Sequence, residues 1–255
     1  MGFGRFFSWY VKPMLWRIAN PGRHVEDYYA ESIASRLERG RRHPAIGAQT
    51  RTVREPTELL DVLRLRGLAP HQGVVDYGCG SFRLGKALIH YLDPGRYWGL
   101  DVTDQFFSAG YNFLGEELTR EKRPNARVIN PAGLAEAQRH KPDFIVSWHV
   151  CSKVPPSRFA DYFGKMIGLM HPGTRVLVHF PETTARRRLS RFSWATPRAA
   201  IEKAIRDLDP KLEVRFELLT SQIHKGVSQT MVEFAYPQAG IHDTPLLVGR
   251  ASAAE

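Results

Sequence analysis

Asp76, Gly78, Gly80 and Asp101 have the types and spacing to hold a nucleoside. They lie in and after the stretch V-V-D-Y-G-C-G-S-F-R-L-G, Val74 to Gly85, where an apolar strand ends in Asp76, turns on glycines and runs into a helix. A second apolar strand ends in Asp101, 21 residues after Gly80 (101 − 80 = 21). In an open α/β sheet, ligands bind beyond the carboxyl ends of the strands. Glycines let the backbone turn tightly and let a ligand approach it closely. A carboxylate ending the second strand can accept both hydroxyls of a ribose. A dinucleotide would want G-x-G-x-x-G and would lay its pyrophosphate on the helix N-terminus. Here Phe82 and Arg83 interrupt that pattern, and Asp76 would repel a phosphate.

S-adenosylmethionine fits these residues better. It carries no phosphate, and its cationic amino group and sulfonium suit an acid near the turn. Its carboxylate can still use the helix N-terminus. From Leu59 to Tyr236 the chain resembles the class I S-adenosylmethionine-dependent methyltransferases. V-V-D-Y-G-C-G-S resembles the family's first motif, hydrophobic-hydrophobic-D-x-G-C-G-x-G, and Y-W-G-L-D-V its second. D-F-I-V-S-W-H-V resembles the fourth strand, and H-P-G-T-R-V-L-V the loop and fifth strand. The resemblance implies S-adenosyl-L-methionine as cofactor. It implies a binding turn of Asp76, Tyr77, Gly78, Cys79 and Gly80, with Gly78 and Gly80 beside the methionine moiety and Asp101 on the ribose. It places Val102 against the adenine, Asn130 where an adenine-binding polar residue often lies, and the backbone of Ser147 or Trp148 at the methionine amino group. The third glycine of the family motif is Phe82, so the turn is a variant, and Gly85 is expected to supply the close packing instead. Ser152 and Lys153 stand where many small-molecule members carry an acid and a histidine.

Methyl transfer is an in-line displacement that an enzyme assists mainly by positioning. A general base helps when the acceptor is a hydroxyl. His149 ends the fourth strand and His179 the fifth, so both are candidate catalytic residues opening on one cleft, with Glu182 three residues beyond. A histidine at a strand end is more often packed or solvated than catalytic. Cys79 and Cys151 end strands expected to be neighbours and could approach each other near the cofactor; spectator thiols are favoured over a redox switch. Neither has a C-x-x-C partner, and no metal site is expected. The Pro-Cys nucleophile of cytosine methylation and the Asp/Asn-Pro-Pro-aromatic motif are missing. The chain reads C-S-K-V-P-P-S instead, which argues against base methylation.

Strands alternating with helical patterns must position these residues, which implies a doubly wound, Rossmann-like, mostly parallel sheet. The strands expected are 73–76, 97–101, 126–129, 143–150, 175–180, 213–219 and 231–236. The last two, about twelve residues apart with no helix between, form an antiparallel edge. Helices are expected at 84–92, 104–118, 132–139, 156–170 and 197–208. Pro56 opens another that Gly67 ends. Residues 1–55 read as a helical extension or lid, 56–240 as the S-adenosylmethionine-binding domain and 241–255 as a tail. Within the extension, Phe3, Phe6, Phe7 and Tyr10 recur at helical spacing, Pro13 interrupts or restarts the helix, and 25–39 forms a second one. Tyr28 and Tyr29 are candidates to reach the site.

Composition bounds the reading further. With 255 residues and 43% apolar content, one large α/β domain with a sizeable core is expected. No run approaches the ~20 apolar residues of a membrane span, and the N-terminus lacks a signal core, so a cytoplasmic protein is expected. The net charge of +10 gathers in three arginine clusters, around 5–23, 36–54 and 186–198. A solvated surface is the plain reading of such clusters. They also suit an anionic substrate, nucleic acid or lipid. The basic, aromatic first helix could lie on an anionic membrane surface, though packing onto the core is favoured. A small-molecule, sugar or lipid-type acceptor is the leading expectation. An RNA substrate or a non-catalytic binding subunit is the alternative, and the oligomeric state is left open.

Overall fold

Three apolar runs, Val74–Val75, Phe144–Ile145–Val146 and Val176–Leu177–Val178, seed the sheet. Unbroken runs of this kind belong to parallel strands covered on both faces. All eight residues are buried. In a computed structural model, residues 12–23, 28, 31, 57–190, 193–224 and 226–241 are described. The runs lie in β1 (Val74–Tyr77), β4 (Phe144–Ser147) and β5 (Arg175–Glu182), flanked by β2 (Tyr97–Asp101) and β3 (Asn125–Val128). β8 (Glu213–His224) and β9 (Val227–Ala235) complete a seven-stranded sheet of order β3-β2-β1-β4-β5-β9-β8. β1 to β5 are parallel; β9 runs antiparallel to both β5 and β8.

Helices cover both faces because side chains alternate along each strand. On one face, Leu59 and Leu63 of α2 (Glu58–Leu65) and Leu88 and Ile89 of α3 (Gly85–Tyr91) pack with Val74, Tyr97, Val146 and Leu177. On the other, α6 (Pro131–Arg139), α7 (Phe159–Leu169) and α8 (Arg198–Leu208) pack Ala137, Phe163, Met166, Ile201 and Ile205 on Val75, Ile145, Val176 and Val178. Each fully buried Leu, Ile or Phe contributes roughly 1.5–3 kcal/mol of apolar transfer free energy. Leu59, Leu63, Phe163 and Ile205, all fully buried, therefore fix which faces of their helices meet the sheet.

Several expectations are corrected. The helix expected over 104–118 is a 3-10 turn at Asp104–Phe106, then α4 (Phe107–Leu114) and α5 (Glu116–Lys122). The break falls at Gly115, whose φ of +83° is one that glycine tolerates at little cost. The basic loop after β5 holds a hairpin, β6 (Arg187–Ser190) and β7 (Ser193–Ala195). The last two strands are longer than expected and are joined through residues 225–226 alone. Cys79 and Cys151 belong to core clusters on opposite sheet faces. Both are free, and burial raises both thiol pKa values.

Pro13 sits in the first turn of α1 (Lys12–Ala19), a position where proline is tolerated. The patterns at Phe3–Tyr10 and 25–39, apart from Tyr28 and Glu31, and the tail beyond residue 241 lie outside the described residues. Trp16 of α1 packs against Tyr28 and bonds Glu31, while Met14, Leu15 and Ile18 are exposed. Among the described residues no helix is long and apolar enough to cross a membrane.

Candidate functional site

The turn after β1 is built by backbone hydrogen bonds that glycines make reachable. The N–H groups of Gly78 and Cys79 both donate to the Leu100 carbonyl, at 2.6 and 3.1 Å. Gly78 has φ +91°, and a Cβ there would lie 2.4 Å from Val150 Cγ2. Gly80 has φ +54°, and the space where its Cβ would sit is open. Its N–H donates to Asp101 Oδ2 at 2.8 Å, so the glycine turn and the acid ending β2 are one unit. Asp101 is 7% exposed, and burial pushes its carboxyl up to about 6 against the bonds from Gly80, Val102 and Thr103. Val102 beside it is 39% exposed, an apolar side chain left on the surface at the mouth of the turn.

Asp76 faces inward. Its Oδ2 accepts from the Tyr97 hydroxyl at 2.7 Å, and burial, with Asp101 nearby, raises its carboxyl to about 7. It braces the turn from within the core. Gly85 takes the close approach expected of it, since a Cβ there would lie 2.2 Å from Tyr97 Oη. Phe82 occupies the third-glycine position with a glycine-like φ of +59°. Its ring is fully buried against Tyr97, Phe107 and Tyr111. Gly99 and Gly110 make room for it, because a Cβ on either would come within 3.0 Å of that ring.

The other expected residues fall in two groups. Tyr77 and Ser147 are joined: Ser147 Oγ donates to the Tyr77 carbonyl at 2.8 Å and accepts from the Tyr162 hydroxyl at 2.7 Å. The Ser147 side chain is thus committed to the core. Asn130 caps α6, its Oδ1 accepting from Gly133 N–H at 2.9 Å. It follows Ile129, whose N–H donates to the Asp101 carbonyl.

The two candidate histidines do not end their strands: His149 lies two residues beyond β4 and His179 within β5, which runs on to Glu182, yet they come together with ring centroids 4.4 Å apart. The Trp148 ring lies 5.1 Å from that of His179. Glu58, from the first turn of α2, completes the cluster: its Oε1 accepts from Trp148 Nε1 at 3.2 Å and lies 3.3 Å from His149 Nε2. The bond from His149 holds the Glu58 carboxyl below the usual range, against partial burial. His149 has φ +60°, a conformation that costs a non-glycine residue on the order of 1–3 kcal/mol. His179 is 4% exposed; burial first, then His149, lowers its imidazole to about 3, and its Nδ1 has no hydrogen-bond partner. Glu182 does not join them: it binds Arg198 and accepts from the Thr230 hydroxyl. Sequence reasoning passed over Glu58, because an acid in a helix's first turn reads as a dipole partner. Among the described residues no group of three His, Cys, Asp or Glu side chains is arranged to hold a metal ion.

No family model and no curated protein matches the chain in sequence. Solved structures do match in shape. Magnesium protoporphyrin IX methyltransferase from Synechocystis, with S-adenosylmethionine bound, superposes at a TM-score of 0.60 and 15% identity, over 85% of this chain and 99% of that one. The methyltransferase domain of a bacterial Hen1 gives 0.51 at 18% identity, over 71% and 97%. Phosphoethanolamine N-methyltransferase 2 from Haemonchus contortus, also with S-adenosylmethionine, gives 0.53 at 11% identity, over 70% and 51%. With the strand order and the glycine turn above, these likenesses assign the chain the fold of the class I S-adenosylmethionine-dependent methyltransferases.

Proposed function

We propose that the protein transfers a methyl group from S-adenosylmethionine to a small-molecule acceptor. The observation that carries this reading is the Gly80–Asp101 unit. It sets a buried carboxyl next to an open glycine face at the carboxyl end of a parallel sheet, where such folds hold ligands. The residues fit the cofactor. Ribose hydroxyls would donate to Asp101, whose burial leaves it in need of such donors. Val102 offers an apolar surface to an adenine ring, and the Asn130 amide group retains its N–H donors because only Oδ1 caps the helix. The Trp148 backbone follows Ser147 at the end of the neighbouring strand β4, a position suited to the methionine end. When bound, S-adenosylmethionine supplies an electrophilic methyl on a sulfonium. The chain's part is to orient it against an acceptor beside His149 and His179.

Titration calorimetry tests the reading. S-adenosylmethionine and S-adenosylhomocysteine should bind and NAD should not. Asp101→Ala should weaken binding roughly 10–100-fold, the worth of a hydrogen bond to a charged group. An unchanged dissociation constant would refute the ribose role, and binding of NAD alone would refute the cofactor. RNA binding that falls steeply with salt would move the acceptor from small molecules to nucleic acid.

A further inference from the structure

We propose that Glu58 and His149 form a base dyad, and that the methyl acceptor it serves is a hydroxyl group. The inference rests on the methyl-transfer reading and deepens it. Three features of the cluster carry it. The first is the strained backbone of His149, a non-glycine residue at φ +60° placed just beyond β4. Strain of this kind persists only where the surroundings hold it, and it collects at functional sites.

The second is a fixed tautomer. Glu58 Oε1 already accepts from the Trp148 indole, which can only donate. His149 Nε2 reaches the same carboxylate oxygen, so Nε2 carries the hydrogen and Nδ1 keeps its lone pair for an incoming proton. The third is accessibility. The side chains of His149 and Glu58 are 50% and 53% exposed, open to an acceptor, whereas His179 behind them is buried. The groups facing Glu58 are His149, Trp148 and His179. His179 is kept neutral by burial and is therefore the lesser candidate for a base. It is a neutral neighbour whose buried Nδ1 has no hydrogen-bond partner.

A base of this kind has a task with only some acceptors. A carboxylate attacks already ionised, and a neutral amine attacks through its lone pair. A hydroxyl oxygen must shed its proton as it attacks. In the proposed step the acceptor oxygen forms a bond to the methyl carbon and the carbon–sulfur bond breaks, its electron pair remaining on sulfur. The hydroxyl proton passes to His149 Nδ1. Glu58 is a positioning residue: it orients the ring and offsets the charge that His149 gains.

The test uses the full chain with methyl-labelled S-adenosylmethionine and matched sets of phenols, alcohols, amines and carboxylates. Label should appear on hydroxyl oxygen. His149→Ala should lower kcat roughly 10²–10⁴-fold, the usual worth of a general base. S-adenosylhomocysteine binding should not change. Glu58→Gln should lower kcat by a smaller factor and shift the acidic-limb midpoint of the pH–rate profile, where the base becomes protonated, which a merely structural residue would leave in place. Transfer to amines or carboxylates instead, unaltered turnover in His149→Ala, or no hydroxyl acceptor at all while S-adenosylhomocysteine binds would each overturn the dyad. Loss of adenosyl-ligand binding in the unaltered protein would instead sink the cofactor reading, so the two failures are separable.

Discussion

Phe82 holds a backbone angle that a side chain makes costly, yet its ring is among the largest fully buried groups in the protein. The two facts belong together. A glycine there would meet the backbone requirement and leave a hole between Tyr97, Phe107 and Tyr111. The phenyl ring fills that hole, and the space it needs is taken from Gly99 and Gly110. The glycine of the family motif has in effect moved to the neighbours of the turn. Gly110→Ala would set a methyl 2.6 Å from Phe82 Cδ2, and overpacking of this sort costs typically about 1–3 kcal/mol. Urea unfolding should register that loss, and Phe82→Leu in the same chain should recover part of it. A double-mutant cycle with no coupling would mean that the ring and Gly110 do not compete for this space.

The elements add the reach that single residues lack. Glu58 reaches His149 from the first turn of α2, and ion pairs at the far end of that helix add to the packing of Leu59 and Leu63 in holding it. Arg66, which follows α2, bonds Glu233 of β9 at 3.0 Å and also pairs with Glu217 of β8. Arg175 of β5 bonds the same Glu233 at 2.8 Å and donates to the Arg66 carbonyl at 2.6 Å. Glu233 is 1% exposed between two guanidinium groups, so removing it would take the acid partner from buried Arg175 and leave buried Arg66 with Glu217 alone. Breaking a buried pair by removing one partner costs roughly 3–5 kcal/mol. Glu233→Ala should show that loss in denaturant unfolding and should slow methyl transfer through the shifted α2. A stability change well below 1 kcal/mol would mean that apolar packing alone holds the helix. The hairpin β6–β7 is positioned in a similar way, by tertiary contact. Lys153 donates to Ser193 at 2.7 Å, and Thr196 bridges Glu182 and donates to the Pro181 carbonyl. Its strands, R-R-L-S and S-W-A, are only four and three residues long, so no local pattern marked them.

At the scale of the molecule, what was legible in sequence was what periodicity encodes. The apolar runs, the alternation with helices and the glycine turn followed by Asp101 were all local signals, and the sheet assembled them as expected. Glu58, the split at Gly115 and the placement of the two cysteines on opposite sheet faces depended on which face each chain segment turned inward, and a one-dimensional pattern does not carry that. Burial also gives the molecule a pH dependence that composition would not suggest. Asp76 and Asp101 have folded-state values of about 7 and about 6 against an ordinary 3.8. The folded protein therefore keeps these protons longer than the unfolded chain. Their contribution to stability is complete below about pH 4 and is lost as pH rises through 6 and 7. His179 has the opposite sign: lowered from 6.5 to about 3, it contributes above pH 6.5 and that contribution fades as pH falls. Variants separate the two. Asp76→Asn should gain stability relative to the unaltered ligand-free protein between pH 5 and 8, by on the order of 1–3 kcal/mol for a group this deeply buried. His179→Gln should gain relative to it in the other direction, as pH falls from 6.5 to 4. Thermal unfolding across this range checks both, and parallel pH profiles for the three proteins would show that neither buried group governs the titration.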